Sequence, residues 1–227
     1  MKKLINLAIL FFTLSQANLY AQQHINIMNA FNHYKLRASE NYNKLAFHVR
    51  SSVYKEVIGN TYSKDWEEAI LIIDNQEIYS VKARHRLFDD ELQILLNGQV
   101  KALYPHLMKG VAFRDRSIVS GTEEKENGLI HRFYTLLCGG SVELLRKETI
   151  ECKIREGNVF ELGKKTTGFY FRKNEEYVQK LNTSLKKLLN IFGDRKDEVK
   201  AFIRQNRLST ESEEDLKAIF QFYNQLE

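Results

Sequence analysis

The stretch IYSVKARHRLFDDELQILLNGQVKALY (residues 78–104) decides the expected fold, because three strand patterns follow one another in it with turn signals between them. In its first part, mainly apolar residues from Tyr79 to Leu87 alternate with mainly polar residues from Ile78 to Arg86. Alternation with a period of two is typical of a half-buried β-strand. The runs ELQILL and VKALY then flank Asn97-Gly98, a pair that favours a type I′ hairpin turn because both residues tolerate positive φ. The stretch therefore predicts antiparallel strands joined by tight turns.

The acidic pair Asp89-Asp90 marks the expected turn of the first hairpin. If this pair forms a two-residue turn, Leu87 lies opposite Leu92 and His85 lies opposite Ile94, on a face that is otherwise apolar. This register predicts that His85 is a buried histidine whose ring is hydrogen-bonded, which is a commoner role for such a residue than metal binding.

Three basic residues, Lys82, Arg84 and Arg86, share the opposite face of the same strand and stand about 7 Å apart. Such a ladder can bind a carboxylate, a phosphate or a polyanionic glycan. The alternative is a solvated strand face, on which basic side chains also discourage aggregation through strand edges. The pattern favours the solvated face. If the strand does bind a ligand, the candidate ligand-binding residues are Lys82, Arg84 and Arg86.

Strand patterns continue along the chain, and helical patterns follow them. Short strands are expected at 69–74, 110–115, 130–137, 141–147 and 167–173, and a polar loop at 117–128. After Asn174, apolar residues recur with the helical period, which predicts one helix ending near Gly193, a second after Asp194 and a third from a Thr210–Glu213 capping box. Strands followed by helices predict an α+β fold, with an antiparallel sheet that can curl into a barrel-like shape and about three C-terminal helices packed on it.

The opening MKKLINLAILFFTLSQANLYAQQ is typical of a secretory signal peptide. Two lysines precede an apolar run at 4–14, which is shorter than the roughly 20 residues of a membrane span. We expect cleavage near Ala21, with Ala17 as the alternative, and a mature protein in the periplasm or outside the cell. No cysteine precedes Cys138, which argues against a lipid-anchored N-terminus.

A signal peptide at 1–21 leaves a mainly antiparallel β domain at 22–173 and a C-terminal helical segment at 174–227. Loss of the two N-terminal lysines lowers the formal net charge from +5 to +3. The remaining charges are interspersed, whereas nucleic-acid binding needs a concentrated basic face, so a nucleic-acid partner is not expected. No further apolar run is long enough to span a bilayer.

Sequence motifs for known chemistry are missing: there is no nucleophile elbow, phosphate-binding loop, dinucleotide glycine pattern or metal-binding histidine spacing. Catalytic residues are therefore unassigned, and no cofactor or metal is expected. The acidic pairs Asp89-Asp90 and Glu123-Glu124 fall in expected turns and loops, which predicts that they are exposed.

Two cysteines in an exported protein allow a Cys138–Cys152 disulfide. Their separation along an extended strand, about 35 Å, disfavours this bond, because the Cα atoms of a disulfide lie within about 7 Å. Two free thiols are therefore the favoured interpretation.

Several stretches together resemble a group of uncharacterised exported proteins of Bacteroidota. They are the AQQ end of the signal peptide, GNTY at 59–62, VKARHRLFDDELQIL at 81–95, YTLLCGGSVELLRK at 134–147 and FGDRKDEVKAFIRQNRLSTESEEDLKAIFQFYN at 192–224. The resemblance covers nearly the whole mature chain and implies an envelope or extracellular location, without implying an activity. Similar sequences often have an acidic residue and Gly-Lys in place of CGG, which implies that Cys138 is incidental.

The sequence favours a non-catalytic envelope protein that binds a partner protein or an anionic envelope ligand. Phe222 is the candidate contact residue, because Phe220, Phe222 and Tyr223 cannot all face one core and exposed aromatic residues mark interfaces. The alternative for Phe222 is packing against a neighbouring helix. The alternative function is a small hydrolase or glycan-active enzyme with an unrecognised site, and a third is a sheet that encloses a hydrophobic ligand.

Overall fold

The computed structural model describes residues 31–226, apart from 32–33, 36–37, 40, 53–56, 59–60, 74–76, 155–159 and 175. The strands are β1 (Val49–Ser51), β2 (Val57–Ile58), β3 (Glu67–Ile72), β4 (Ile78–Arg86), β5 (Glu91–Leu96), β6 (Gln99–Leu103), β7 (Gly110–Ala112), β8 (Ser117–Lys125), β9 (Gly128–Cys138), β10 (Val142–Ile154), β11 (Phe160–Lys173) and β12 (Gln179–Lys180). The α-helices are α1 (Leu185–Ile191), α2 (Lys196–Asn206) and α3 (Glu213–Asn224), and 3₁₀ turns lie at Lys44–His48, Pro105–Leu107 and Gly193–Arg195. The expected signal peptide lies outside the described residues.

All twelve strands of the described residues belong to one sheet, in the order β1-β6-β5-β4-β3-β7-β8-β9-β10-β11-β12, with β2 beside β11. The strands are antiparallel to their neighbours except for the parallel pair of β2 and β11. The sheet curls into a half-barrel, and the turn between β4 and β5 reaches across to β9 and β10. The α+β fold with a curled antiparallel sheet and three C-terminal helices is confirmed.

Both hairpins expected in residues 78–104 are present, but the register expected for the first is wrong by two residues. Asn97 and Gly98 have φ angles of 50° and 75°, as the type I′ turn requires. In the first hairpin Leu92 pairs with His85 instead of Leu87, so the turn comprises residues 87–90. A shift of two leaves every side chain on its expected face.

Strand β8 occupies most of the segment that was expected to be a loop. Its polar side chains are satisfied inside the sheet, since the Ser120 hydroxyl donates to the Met108 carbonyl at 2.6 Å and Tyr134 donates to Glu123. Strand β8 pairs with β9 along the whole length of β8, from Ser117 opposite Leu136 to Lys125 opposite Gly128. Polar composition alone was therefore a poor guide to this segment.

The C-terminal helices differ from expectation at their starts. Described residues 176–184 are extended, because the Val178 and Leu181 amides donate to the Thr122 and Phe169 carbonyls at 2.7 and 2.9 Å. Ser212, and not Thr210, caps α3, and its side chain accepts from the Asp215 amide. The helical stop at Gly193 is a 3₁₀ turn that leads directly into α2. No described helix has the length and apolar character needed to cross a membrane.

Two large clusters of buried residues hold the fold together. The first is lined by β3–β9 and contains residues such as Leu71, Ile94 and Phe113. The second joins the three helices to the ends of β9 and β10, through residues that include Leu144 and Phe220. The helices are thus packed on one end of the sheet.

Asn224 anchors the end of α3 to the β9–β10 turn. Its side-chain oxygen accepts from the Val142 amide at 3.1 Å, and its side-chain nitrogen donates to the Val142 carbonyl at 2.9 Å. Gly140 is required beside it, because its φ is 145° and an added Cβ would lie 2.4 Å from the Asn224 amide group. The sheet and the helices are therefore joined by specific hydrogen bonds as well as by apolar packing.

Candidate functional site

A polar pocket of about 280 Å³ opens where the 87–90 turn meets strands β8–β11. Its volume is close to the lower end of the range of small-molecule sites, about 300–1,000 Å³. The lining residues are Leu87, Phe88, Asp89, Asp90, Glu123, Lys125, Ile130, Arg132, Lys147, Thr149 and Tyr170. Charged side chains of both signs and several apolar ones therefore line the same space.

Asp90 forms the centre of a buried ion-pair cluster at the base of this pocket. Its carboxylate accepts from Lys147 Nζ at 2.5 Å, from His85 Nε2 at 3.0 Å and from the Phe133 amide at 3.3 Å. The side chains of Asp90 and Lys147 are each only 9% exposed. The β4–β5 turn is thereby fixed to β9 and β10.

The environment keeps the Asp90 carboxylate ionised. Burial alone would raise the pKa of Asp90, but the hydrogen bond from His85 and the positive charge of Lys147 outweigh burial and lower the pKa to about 2. Burial lowers the pKa of Lys147, and the charge of Asp90 opposes this effect. A His85–Phe133 edge contact, with ring centroids 6.1 Å apart, completes the cluster and confirms His85 as a buried, hydrogen-bonded histidine.

A second carboxylate in the pocket wall, that of Glu123, is also fully engaged. Tyr134 donates a hydrogen bond to it, and Lys125 forms an ion pair with it at 2.6 Å. Burial would raise the pKa of Glu123, but the bonds from Lys125 and Tyr134 lower it, while burial and Glu123 together raise the pKa of Tyr134. At neutral pH Glu123 is therefore an ionised carboxylate, which the neutral Tyr134 hydroxyl and the Lys125 ammonium hold in place.

Arg132 differs from the other cations of the pocket. Its side chain is partly buried and lines the space, yet no hydrogen bond or ion pair joins it to another described residue. Burial lowers the pKa of Lys147 and the nearby charge of Arg132 adds to this effect, whereas burial raises the pKa of Tyr170 and Arg132 opposes it. An unpaired guanidinium in a small pocket is a suitable partner for a ligand oxyanion.

The expected basic ladder on β4 is not a uniform solvated face. Lys82 is exposed, but Arg84 lies between the rings of Tyr62 and Trp66, 3.8 and 4.2 Å from their centroids. Arg86 is buried, which contradicts the solvent-facing interpretation for this residue. The ladder therefore supplies one exposed cation and two arginines that already have partners.

Arg86 is buried because the acids of the turn neutralise it. It donates to both Asp89 oxygens, at 2.8 and 2.9 Å, and pairs with Glu91 at 2.6 Å. Glu91 is also held by Arg50 at 2.9 Å and by Gln93 at 2.8 Å. The acidic cluster after the ladder is thus part of the structure of the turn, and the expectation that Asp90 and Glu123 are exposed is wrong.

Phe222 and the two cysteines are the remaining residues singled out from the sequence. Phe222 stacks on Phe202 with ring centroids 4.0 Å apart and an interplanar angle of 1°, so it packs against the neighbouring helix α2.

Cys138 is a buried free thiol with its pKa raised by burial to about 11, and Cys152 is a partly exposed free thiol. Within the described residues, no group of three His, Cys, Asp or Glu side chains is arranged to hold a metal ion.

Comparisons with models of protein families, with curated proteins and with solved structures found no match to this chain. The site must therefore be interpreted from its own geometry.

The residues that define the pocket were missed in the sequence because they are far apart along the chain. Asp90 and Lys147 are separated by 57 residues, and their contact depends on the curl of the sheet. One signal was present: in RFYTLL the alternation places Arg132 and Tyr134 on one face of β9, opposite the buried Phe133. The pair of Arg132 and Tyr134 on one face of β9 was therefore a better indication of a polar pocket than the basic ladder Lys82, Arg84 and Arg86 on β4.

Proposed function

We propose that the protein is exported to the cell envelope and acts there as a non-catalytic binding protein, with the pocket around Arg132 as its ligand site. The observation that carries this proposal is the Arg132 guanidinium, which pairs with no other described residue and lines a pocket of about 280 Å³ with apolar side chains in its wall. Export is supported by the signal-peptide pattern at residues 1–21. Small-molecule sites characteristically combine an apolar wall with a few polar groups that fix orientation.

The charge states in the pocket favour binding over catalysis. A general acid or base works best with a pKa near the operating pH, whereas the pKa values of Asp90 and Glu123 are both lowered. Lys147 donates to Asp90 and to the Phe133 carbonyl, so two of the three N–H groups of its ammonium are committed to buried acceptors. The alternative of a hydrolase or glycan-active enzyme gains no support from these groups.

Native mass spectrometry of the protein isolated from the envelope of its own host tests this proposal. We expect a mature chain that begins at Gln22 and a fraction of molecules carrying one small non-covalent ligand. Replacement of Thr149 by tryptophan is expected to remove the ligand, because Thr149 is an exposed residue of the pocket wall and the indole would fill the space. Tryptophan is also well tolerated in strands.

The matched control is Thr167→Trp, which places the same side chain on the neighbouring strand at an exposed position outside the pocket lining. This variant should retain the ligand of the wild-type protein. Retention of the ligand by Thr149→Trp, or equal loss from both variants, would contradict the assignment of the site to this pocket.

A further inference from the structure

We infer that the ligand of the pocket is a small monocarboxylic acid with an aromatic or apolar body, a conclusion that rests on the proposed function. The carboxylate would be bound by Arg132, and the body would lie against the apolar side chains of the wall. Three independent features of the described residues lead to this class: the charge balance of the pocket, the chemistry of Arg132 and the composition of the wall.

The charges that line the pocket leave one positive charge without a partner. Lys147 is neutralised by Asp90 and Lys125 by Glu123, at 2.5 and 2.6 Å. The third carboxylate, that of Asp89, is held by Arg86, which lies outside the lining. The lining side chains carry three positive and three negative charges, but Asp89 is already neutralised by Arg86 from outside the lining. Arg132 is therefore the described lining cation without a carboxylate partner, and a ligand with one negative charge would pair with it.

The same balance disfavours a doubly charged ligand. A phosphate monoester carries up to two negative charges near neutral pH, one more than Arg132 balances, so its second charge would lie near the carboxylates of Asp89, Asp90 and Glu123 without a cation of its own. Like charges within a few ångström in a partly buried site raise the free energy of the complex. A carboxylate retains the planar, bidentate geometry that a guanidinium recognises without the second charge.

The wall supplies contacts for an apolar or aromatic body. Leu87, Phe88, Ile130 and Tyr170 line the pocket beside the charged groups, and Leu87 is buried. The ring of Phe88 contacts Phe160 with centroids 5.4 Å apart, and that of Tyr170 contacts Tyr134 at 5.3 Å, so both rings are held in place beside the pocket. An aromatic ligand in the pocket would add aromatic contacts to the simple burial of area. A purely ionic ligand such as inorganic phosphate would leave these surfaces in contact with water.

Isothermal titration of the mature protein with phenylacetate and its neutral isostere phenylacetamide tests this inference. We expect phenylacetate to bind at least about tenfold more tightly, since only the acid forms charge-assisted hydrogen bonds with Arg132. Arg132→Gln should weaken binding of phenylacetate by about 10- to 100-fold and leave binding of phenylacetamide unchanged. Arg132→Lys should give an intermediate loss, because the charge remains but the bidentate geometry does not.

Lys82→Gln is the matched control, because it removes one exposed positive charge outside the pocket lining and should not change either affinity. Phenyl phosphate should bind more weakly than phenylacetate. Equal binding of acid and amide, no effect of Arg132→Gln, tighter binding of phenyl phosphate, or no binding of phenylacetate up to about 10 mM would each overturn the monocarboxylate assignment. The Thr149→Trp experiment tests separately whether the native ligand binds in this pocket. If that variant loses the ligand but phenylacetate does not bind, the site is right and the ligand class is wrong.

Discussion

Replacement of Asp90 by asparagine is expected to lower the free energy of unfolding of the mature protein by about 3–5 kcal/mol, as measured by urea denaturation. The substitution leaves the Lys147 ammonium buried, with a side chain 9% exposed and no carboxylate partner. It also replaces one of the two acceptor oxygens by an NH₂ group, so His85, which binds one oxygen, and the Phe133 amide, which binds the other, cannot both keep their acceptor. The β4–β5 turn would then lose its main attachment to β9 and β10.

Asp115→Asn is the matched control for this variant. Asp115 also contacts a lysine at 2.5 Å, that of Lys64, but both side chains are 49% exposed. Exposed pairs contribute about 0–1 kcal/mol, so this variant should be nearly as stable as the wild type. The double variant Asp90→Asn, Lys147→Met should lose less stability than the sum of the two single variants, because it leaves no buried charge unpaired. Additive losses would contradict a coupled Asp90–Lys147 pair.

Acid should act on the same pair in a defined direction. The pKa of Asp90 is lowered from 3.8 to about 2 in the folded protein, so the stabilisation it gives is fully present above pH 3.8 and is lost as the pH falls through 2. The lowered pKa corresponds to about 2 kcal/mol. The difference in unfolding free energy between the wild type and Asp90→Asn should therefore become smaller between about pH 4 and pH 2.

Replacement of Arg86 by glutamine is expected to lower the unfolding free energy by about 3 kcal/mol, whereas Lys82→Gln on the same strand face should change it by less than about 0.5 kcal/mol. Arg86 is buried and holds Asp89 and Glu91, and the side chain of Glu91 is only 2% exposed. Lys82 is exposed. Chemical denaturation of the two variants measures the contrast directly.

Equal effects of Arg86→Gln and Lys82→Gln would show that the ladder is a uniform solvated face after all. A larger loss of unfolding free energy for Arg86→Gln than for Lys82→Gln would instead show that Arg86 is a buried part of the turn and that Lys82 is the exposed residue of the ladder. This outcome also bears on ligand binding, because an arginine held by two carboxylates has little capacity left for an anion from solution.

Local sequence patterns predicted the two hairpins of residues 78–104, the order of strands before helices and the apolar faces of α2 and α3. These features depend on neighbours in the chain: Asn97-Gly98 determines its own turn, and Val199, Phe202 and Ile203 are buried with the helical spacing that the sequence has. The face of each β4 residue was also correct, because the period of two does not depend on the length of the turn.

Features that depend on distant residues were not predictable from such patterns. The turn comprises residues 87–90 instead of the expected pair, Asp90 ends it in a left-handed conformation with φ at 54°, and the Asp90 carboxylate is held by His85 and by distant Lys147. Residues 176–184 have a helical pattern, yet backbone hydrogen bonds to β8 and β11 keep their described part extended. The pocket has the same origin, since its charged groups come from separate strands that only the curl of the sheet brings together.

The most direct test of the proposed ligand site is a two-dimensional ¹H–¹⁵N nuclear magnetic resonance titration of the mature protein with the small-molecule fraction of its host's envelope. The pocket predicts chemical-shift changes concentrated in residues 87–90, 130–132 and 147–149, with Arg132 among the most strongly affected. Changes centred on Lys82, Tyr62 and Trp66, or no saturable change at all, would contradict a ligand site in this pocket.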